Sequence, residues 1–335
     1  MWTILFLACL IGAFALTGVA IRLAARLSML DHGGQRALHI GTKPRGGGIA
    51  IVFCVTAAQI AWFINTTLKT DYIVVWWAGG LLMAALGFWD DIRSLPSVPR
   101  LLFQLLVAAI VAVCSAASDL PVVWVAVTVA TLAIVWMING ANFMDGADGL
   151  LATQVILVSA GSVVLSEPQP ADPIRLQNLA VCSACLGFVA WNWQPSKIFL
   201  GDTGSYFLGY CLAINVIATL DNSTGLLKLL ILATPLYCDA SMTLVARVLA
   251  KRKFWEAHRS HLYQRMIRCG FSHSQVAMVY ALVWGLVFFP LAYLCEIIPD
   301  RCALIFVLAC IVASVMWFFA TQRFSRLLIS KGEIA

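Results

Sequence analysis

Apolar segments of about 20 residues recur along the whole 335-residue chain. An α-helix of that length crosses the hydrocarbon core of a bilayer, which is about 30 Å thick. Only 11% of the residues are charged, whereas soluble domains average about 25%. A transmembrane β-barrel would instead show alternating segments of about ten residues. The sequence therefore predicts an all-α, polytopic integral membrane protein.

The apolar segments predict about eleven transmembrane helices in one domain that covers residues 1–335. The first segment lacks a basic start and a small-residue cleavage site, so we expect a retained helix rather than a signal peptide. The predicted spans are 2–21, 48–66, 72–89, 101–117, 120–138, 149–165, 176–192, 204–220, 224–245, 275–295 and 302–321.

Lysine and arginine residues indicate the orientation of these helices. Most of the 22 fall in the connections that follow odd-numbered spans or in the C-terminal tail, and cytoplasmic loops carry such an excess. We therefore expect a periplasmic N-terminus and a cytoplasmic C-terminus. All five histidines fall on the same predicted cytosolic side. The predicted cytosolic loops are 22–47, 90–100, 139–148, 193–203 and 246–274.

A glycine-rich segment, 139–150, joins two of the apolar segments. Its carboxylates Asp145 and Asp148 are three residues apart, so on a helix they share a face. Asn139 and Asn142 repeat this spacing just before them. Because glycines let a ligand approach the backbone, the segment predicts a polar-ligand site at the membrane surface. A capped helix start with turn glycines is the alternative interpretation.

Two adjacent carboxylates, Asp90 and Asp91, end the third predicted span. They repel one another and face the negative end of the helix dipole. A divalent cation or a basic partner would relieve both costs. The alternative is a solvated helix end paired with Arg93 or Arg100.

A third acidic motif precedes the eighth predicted span, where Asp202 lies near a helix start. An aspartate in that position can stay ionised and bind Mg²⁺, with Thr203 and Ser205 as hydroxyl donors. Phe199 is placed to stack on a base. An aspartate that only caps the helix is the alternative.

Two basic segments lie on the same predicted face. Lys43 and Arg45 stand beside a glycine run at a helix start, which suits a phosphate; positive-inside anchoring is the alternative. His258 and His261 flank Arg259, and imidazoles in that setting suit phosphate contacts. Zinc is disfavoured there because no third ligand has the right spacing.

One more acid, Asp239, lies late in the ninth predicted span. Arg247 follows it by about two helical turns. We expect the two side chains to pair.

The motifs in 88–91, 142–149, 199–205 and 258–261 occur in one order on one predicted face. In this the chain resembles the polyprenyl-phosphate N-acetylhexosamine-1-phosphate transferases, the superfamily of WecA-like and MraY-like enzymes. The resemblance covers nearly the whole chain, and the family's fold of eleven transmembrane helices agrees with the predicted spans.

The resemblance implies transfer of a sugar-1-phosphate from a UDP-N-acetylhexosamine to undecaprenyl phosphate, with release of UMP. It implies Mg²⁺ as cofactor, with Mn²⁺ as an alternative, and a location in the bacterial cytoplasmic (inner) membrane. Membrane lipids are expected partners, a homodimer is a further candidate, and no nucleic acid partner is expected.

Motifs and resemblance together give the candidate site residues. The predicted metal ligands are Asp202, Asp91 and Asn142. The predicted catalytic residues are Asp90, Asp91, Asp202, His258 and His261. The predicted substrate-binding residues are Lys43, Arg45, Asn139, Asn142, Asp145, Asp148, Asn192, Phe199 and Arg259.

Two departures indicate the branch of this superfamily. Arg259-Ser260 replaces part of the run of three histidines typical of phospho-N-acetylmuramoyl-pentapeptide transferases, and Pro44-Arg45-Gly46 replaces their Pro-Thr-Met-Gly. We therefore predict the branch that starts O-antigen or related surface polysaccharides, with N-acetylglucosamine or a 6-deoxy relative such as N-acetylfucosamine or N-acetylquinovosamine. The pentapeptide transferase is the alternative. A transporter or flippase would place ionisable groups near the bilayer midplane in broken helices, which the motif positions disfavour.

Overall fold

The computed structural model describes residues 2–26, 29–31, 42–66, 71–116, 123–167, 172–252 and 258–332. Within these ranges the chain is predominantly helical, which confirms the all-α prediction. The described residues also contain two strands of two residues each, β1 (Leu30–Asp31) and β2 (Lys43–Pro44), which pair antiparallel. His32 and His39 of the predicted cytosolic face lie outside the described residues.

The described helices follow the predicted spans closely. A π-helix, Trp284–Phe288, connects two of them, and a 3₁₀ turn, Pro299–Arg301, precedes the last. The α-helices are α1 (Trp2–Arg26), α2 (Gly48–Asn65), α3 (Asp71–Arg93), α4 (Ser97–Ser115), α5 (Val123–Phe143), α6 (Leu150–Leu165), α7 (Pro173–Asn192), α8 (Gly201–Ala218), α9 (Ser223–Leu249), α10 (Leu262–Arg268), α11 (His273–Val283), α12 (Phe289–Ile297) and α13 (Cys302–Ser330).

Nine helical segments among the described residues are long and apolar enough to cross a membrane. Two more predicted spans are present as helices with different properties. α6 is apolar but has only 16 residues, and α8 carries several polar side chains. Together these segments account for the predicted spans of a multi-pass membrane protein.

The central helix of the bundle is α8. Nearly all of its residues are buried, and it packs mainly against α3 and α5. Because protein rather than lipid surrounds α8, its polar residues need not face hydrocarbon. Gly87 of α3 lies directly against the backbone of Asp202, where an added Cβ would overlap the Asp202 carbonyl. This close approach holds the end of α3 against the start of α8.

Several helix ends meet at one end of the bundle. The backbone N–H groups of Gly47 and Gly48, at the start of α2, donate to Phe199 and Leu200, each over 2.9 Å. The side chain of Asn192 accepts from the Gly149 N–H, which precedes α6. The three aspartate motifs therefore lie at the same end of the bundle. That this end faces the cytosol stays a prediction.

Candidate active site at the start of α8

Asp91 organises the first turn of α8. Its Oδ1 accepts from the backbone N–H of Asp202 (2.8 Å), and its Oδ2 accepts from the N–H (3.0 Å) and the hydroxyl (2.7 Å) of Thr203. Gly201 has φ +78° and leaves no room for a Cβ, which would lie 2.7 Å from Oδ2. Arg45 Nε lies 3.7 Å from Oδ1. Both oxygens of this predicted metal ligand are therefore engaged by the protein.

The neighbouring Asp90 has different partners. It is 2% exposed and forms an ion pair with Arg100. The hydroxyl of Tyr206 donates to its Oδ2 over 2.9 Å, and the Leu95 N–H donates to its Oδ1 over 2.7 Å. The pairing with Arg100 that the sequence offered as an alternative is thus present. The contacts hold Asp90 in a buried network beside α8.

Asn142 joins the end of α5 to the start of α8. Its Nδ2 donates to Asp202 Oδ1 over 2.6 Å and to the Ser205 hydroxyl over 3.0 Å. Among the described residues, Asp202 Oδ2 makes no hydrogen bond. Asp202 lies in the first turn of α8 and its side chain does not cap the helix. One carboxylate oxygen of Asp202 is thus oriented by the protein, and the other is available to a ligand.

The carboxylates of Asp91, Asp145 and Asp202 interact electrostatically, and we call them the acid cluster. Of the three, Asp145 has the fewest hydrogen bonds. In the described part of the chain its carboxylate makes no hydrogen bond. Burial, and then the charges of Asp202 and Asp91, raise the pKa of Asp145 well above its ordinary value, although Arg45 opposes this. A buried carboxylate that repels nearby carboxylates is stabilised by a bound cation.

The donor set fits Mg²⁺. No group of three or more His, Cys, Asp or Glu side chains in the described ranges is arranged to hold a metal ion. Mg²⁺, however, is usually bound through one or two carboxylates together with substrate phosphates and water. Asp202 and Asp145 supply two carboxylates, and their charges lie close enough to interact.

Asp148 has the opposite environment from Asp145. Burial alone would raise its pKa, but His273, Lys43 and Ser196 together lower the pKa of Asp148 to about 2. Its Oδ2 lies 3.5 Å from Lys43 Nζ and its Oδ1 lies 3.5 Å from His273 Nδ1. Asp148 is therefore ionised at neutral pH.

Lys43 connects Asp148 to the loop that precedes α8. Its Nζ donates to the Ser196 hydroxyl over 2.8 Å. It also lies 5.2 Å from the centroid of the Phe199 ring. The predicted phosphate-binding lysine and the predicted base-stacking ring are therefore neighbours.

Two predicted substrate-binding amides make bonds within the protein. Asn192 accepts from the Gly149 N–H over 2.8 Å, and its Nδ2 donates to the Ile198 carbonyl over 2.9 Å. Asn139 donates to Gln104 Oε1 over 2.7 Å. These bonds support a structural role for both residues, in which each joins two segments of the protein. Contact of either residue with substrate stays a prediction.

The histidine pair lies beside the end of α5. The rings of His258 and His261 are 4.9 Å apart, and His261 is 6.0 Å from the Phe143 ring. Burial, and then His261 and Arg247, lower the pKa of His258 to about 4. Burial also lowers the pKa of His261. Both imidazoles are therefore neutral at pH 7. Arg259 lies between them in the sequence and is partly buried.

Sequence reasoning missed several residues that shape this site. Tyr206 follows Asp202 by one helical turn and so shares its face; that spacing was a usable signal. Ser196, Gln104 and His273 lie on segments distant in sequence from their partners. No local pattern marks such residues.

Residues 73–220, which contain all three aspartate motifs, match glycosyl transferase family 4. The chain is 30% identical over 297 residues to the "Probable undecaprenyl-phosphate N-acetylglucosaminyl 1-phosphate transferase" of Bacillus subtilis, covering 84% of this chain and 82% of the relative. It is 28% identical over 362 residues to the "Decaprenyl-phosphate N-acetylglucosaminephosphotransferase" of Mycolicibacterium smegmatis, covering 94% and 87%. A "Phospho-N-acetylmuramoyl-pentapeptide-transferase" of Lactiplantibacillus plantarum is 31% identical over 194 residues, covering 52% and 60%.

Proposed function

Because this chain belongs to glycosyl transferase family 4, we propose that it transfers an N-acetylhexosamine-1-phosphate from a UDP-sugar to undecaprenyl phosphate and releases UMP. The observation that carries the proposal is the 2.6 Å hydrogen bond from Asn142 to Asp202. It brings the 142–149 motif to Asp202, and Asp145 of that motif makes no hydrogen bond in the described chain. Such a cluster suits a nucleotide diphosphate and a cation.

The extent of similarity favours N-acetylglucosamine as the sugar. The relatives named for N-acetylglucosamine transfer align over more than four-fifths of their length, and the pentapeptide transferase aligns over 60%. The sugar of this protein is then N-acetylglucosamine or a 6-deoxy relative. Its lipid-linked product would start O-antigen or another surface polysaccharide.

Asp202 and Asp145 would hold Mg²⁺, with Asn142 orienting Asp202. When bound, the ion neutralises charge on the diphosphate and on the leaving UMP. Asp91, with both oxygens engaged by α8, acts by placing Asp202.

The transfer needs one bond made and one bond broken. An oxygen of the lipid phosphate attacks the sugar-bearing β-phosphorus, and the bond from that phosphorus to the bridging oxygen breaks, so that the electron pair leaves with UMP. The second pKa of a phosphate monoester is about 6, so the acceptor is already mostly dianionic at pH 7. Asp90, held by Arg100 and Tyr206, is therefore not required as a base.

The basic residues have separate parts in this proposal. Lys43, beside Phe199, contacts the nucleotide phosphate while the ring stacks on uracil. Arg45, 3.7 Å from Asp91, adds positive charge next to the acids. His258 and His261, neutral at pH 7, contact the diphosphate. The reaction would take place at the cytosolic membrane face.

The test is UMP release by the purified protein with undecaprenyl phosphate and a panel of UDP-sugars. We expect release with UDP-N-acetylglucosamine or one of its 6-deoxy relatives, and loss of release in Asp202→Asn. The matched control is Asp172→Asn, because Asp172 caps α7 through the Ile174 N–H and asparagine caps equally well. No release from any UDP-sugar, or full activity of Asp202→Asn, would contradict the proposal.

A further inference from the structure

A buried carboxylate, Asp239, lies in α9 outside the acid cluster. It is 2% exposed. A buried carboxylate is costly unless it is paired or well hydrogen-bonded. The sequence suggested Arg247 as its partner. Among the described residues, five donors surround Asp239 instead: the Thr243 hydroxyl of α9 itself, 3.1 Å from Oδ1, and four donors from three other helices.

Four of these donors account for both carboxylate oxygens. Oδ1 accepts from the backbone N–H of Leu262 over 2.8 Å and from the indole N–H of Trp317 over 2.9 Å. Oδ2 accepts from the backbone N–H of Tyr263 over 3.3 Å and from the Tyr280 hydroxyl over 2.9 Å. Asp239 thus ties α9 to α10, α11 and α13.

The bonds to α10 have a specific consequence. The first N–H groups of a helix have no partner within the helix, and α10 begins at Leu262. Asp239 therefore satisfies the N–H groups that determine where α10 starts. His261, the residue just before α10, is placed by these bonds, and its Nδ1 lies 3.9 Å from Asp239 Oδ1.

α10 is also bonded to the acid cluster. The hydroxyl of Tyr263 donates to the carbonyl of Phe143 over 3.0 Å. Phe143 ends α5, next to Asn142 and two residues before Asp145. A continuous series of contacts thus runs from Asp239 through the start of α10 to the loop that carries Asp145.

We propose that Asp239 is a positioning residue for sugar-phosphate transfer: its carboxylate holds the start of α10 and thereby sets the position of His261 relative to the acid cluster. Asp239 itself touches no substrate in this proposal. The inference rests on the proposed function, because it requires His261 to act on the substrate.

The role of Asp239 in holding the start of α10 can be tested without any activity measurement. In Asp239→Asn the amide offers one acceptor oxygen, and its NH₂ group faces N–H donors that it cannot satisfy. We expect faster hydrogen–deuterium exchange in peptides that cover 258–268 and unchanged exchange in 201–218. Unchanged exchange in 258–268 would overturn the proposal, whether or not the protein transfers sugar phosphate.

Tyr280→Phe is the matched control. It removes one hydrogen bond to the same carboxylate but leaves both bonds from the α10 backbone in place. We expect wild-type exchange in 258–268 and wild-type UMP release. If Tyr280→Phe lowers kcat as much as Asp239→Asn does, the effect belongs to packing around Asp239, and the proposal is overturned.

The kinetic test asks whether Asp239 acts through His261. We expect kcat to fall about 100-fold in Asp239→Asn, as for a misplaced reacting group, while the Kd for UMP stays at the wild-type value. In a double-mutant cycle with His261→Ala, the double variant should be no slower than His261→Ala alone. Additive losses would overturn the proposal. Absence of transfer by the wild-type protein would instead contradict the proposed function. The exchange test would still show whether Asp239 holds the start of α10.

Leu262→Pro serves if Asp239→Asn does not fold. It deletes one N–H donor to Asp239 from outside the membrane-spanning helices, and proline is tolerated at the first helical position. His261 has φ −61° and ψ 150°, which suits the residue before a proline. We expect a lowered kcat and faster exchange in 258–268. Wild-type values for both would overturn the proposal.

Discussion

Asp91 accepts hydrogen bonds from both the backbone N–H and the hydroxyl of Thr203, over 3.0 and 2.7 Å. These bonds join the last turns of α3 to the first turn of α8. Because Asp91 also accepts from the Asp202 N–H, these bonds fix the backbone from which the Asp202 side chain extends. The placement of Asp202, a predicted metal ligand, thus depends on Asp91, whose two carboxylate oxygens both accept hydrogen bonds from α8.

Asp91→Asn should therefore impair the site without removing a ligand. One Asp91 oxygen becomes an NH₂ group, which leaves at least one backbone N–H of α8 unpaired, at a cost of about 1–3 kcal/mol. We expect a lower midpoint of thermal unfolding in detergent and a fall in kcat of about 100-fold. Asp172→Asn, at the start of α7, should change neither quantity. Wild-type kcat in Asp91→Asn would contradict the placing role.

The proposed cation site predicts a change in metal dependence. If Asp145 and Asp202 both hold Mg²⁺, Asp145→Asn should raise the Mg²⁺ concentration for half-maximal UMP release by about tenfold or more, since Mg²⁺ relies on few protein carboxylates. Chelation of metal should abolish release by the wild-type protein. Asp221→Asn, an exposed residue between α8 and α9, is the control. The same Mg²⁺ dependence in Asp145→Asn and wild type would remove Asp145 from the ligand set.

The contacts of Asp90 favour direct attack by the lipid phosphate. Asp90 is buried and paired with Arg100, and Asp91 is engaged by α8, so neither acid is placed to form a phosphoryl-enzyme intermediate. We expect no exchange of labelled UMP into UDP-sugar when the lipid acceptor is omitted. Rapid exchange under those conditions would establish a covalent path and refute direct attack.

The half-buried His258 predicts a pH dependence of stability. The pKa of His258 is about 4 in the folded protein and 6.5 for the ordinary side chain. Between these values the unfolded chain binds more protons at His258, so the free energy of unfolding falls as the pH falls from 6.5 towards 4. His258→Gln cannot take up this proton. We expect a smaller loss of thermal stability between pH 7 and pH 5 in His258→Gln than in wild type, and equal losses would contradict the assignment.

Residue type and position predicted much of this protein. Long apolar segments indicated the helices, because hydrophobicity over about 20 residues is itself the condition for spanning a bilayer. Asp91, Asn142, Asp145 and Asp202 were singled out because charged and amide groups at helix ends are costly and need a partner. The structure brings these four residues to one end of the bundle.

The partners of individual side chains were not predictable in the same way. Asp90 and Asp91 are adjacent in sequence, but successive helix positions point about 100° apart, so one faces Arg100 and the other faces α8. Asn139 and Asn142 share a spacing, yet Asn139 bonds to Gln104 of α4 and Asn142 bonds to Asp202 of α8. Adjacency and spacing in the sequence do not predict these different partners.

The sequence by itself determined the membrane-spanning helices and the identity of the acids at their ends, because both follow from short-range composition. Only the tertiary structure decided which acid is engaged, which is free for a cation, and that Asp239 holds α10 beside the site. Those outcomes depend on which helices pack together, and packing brings into contact donors and acceptors that are more than 50 residues apart in the chain, such as Asn142 and Asp202.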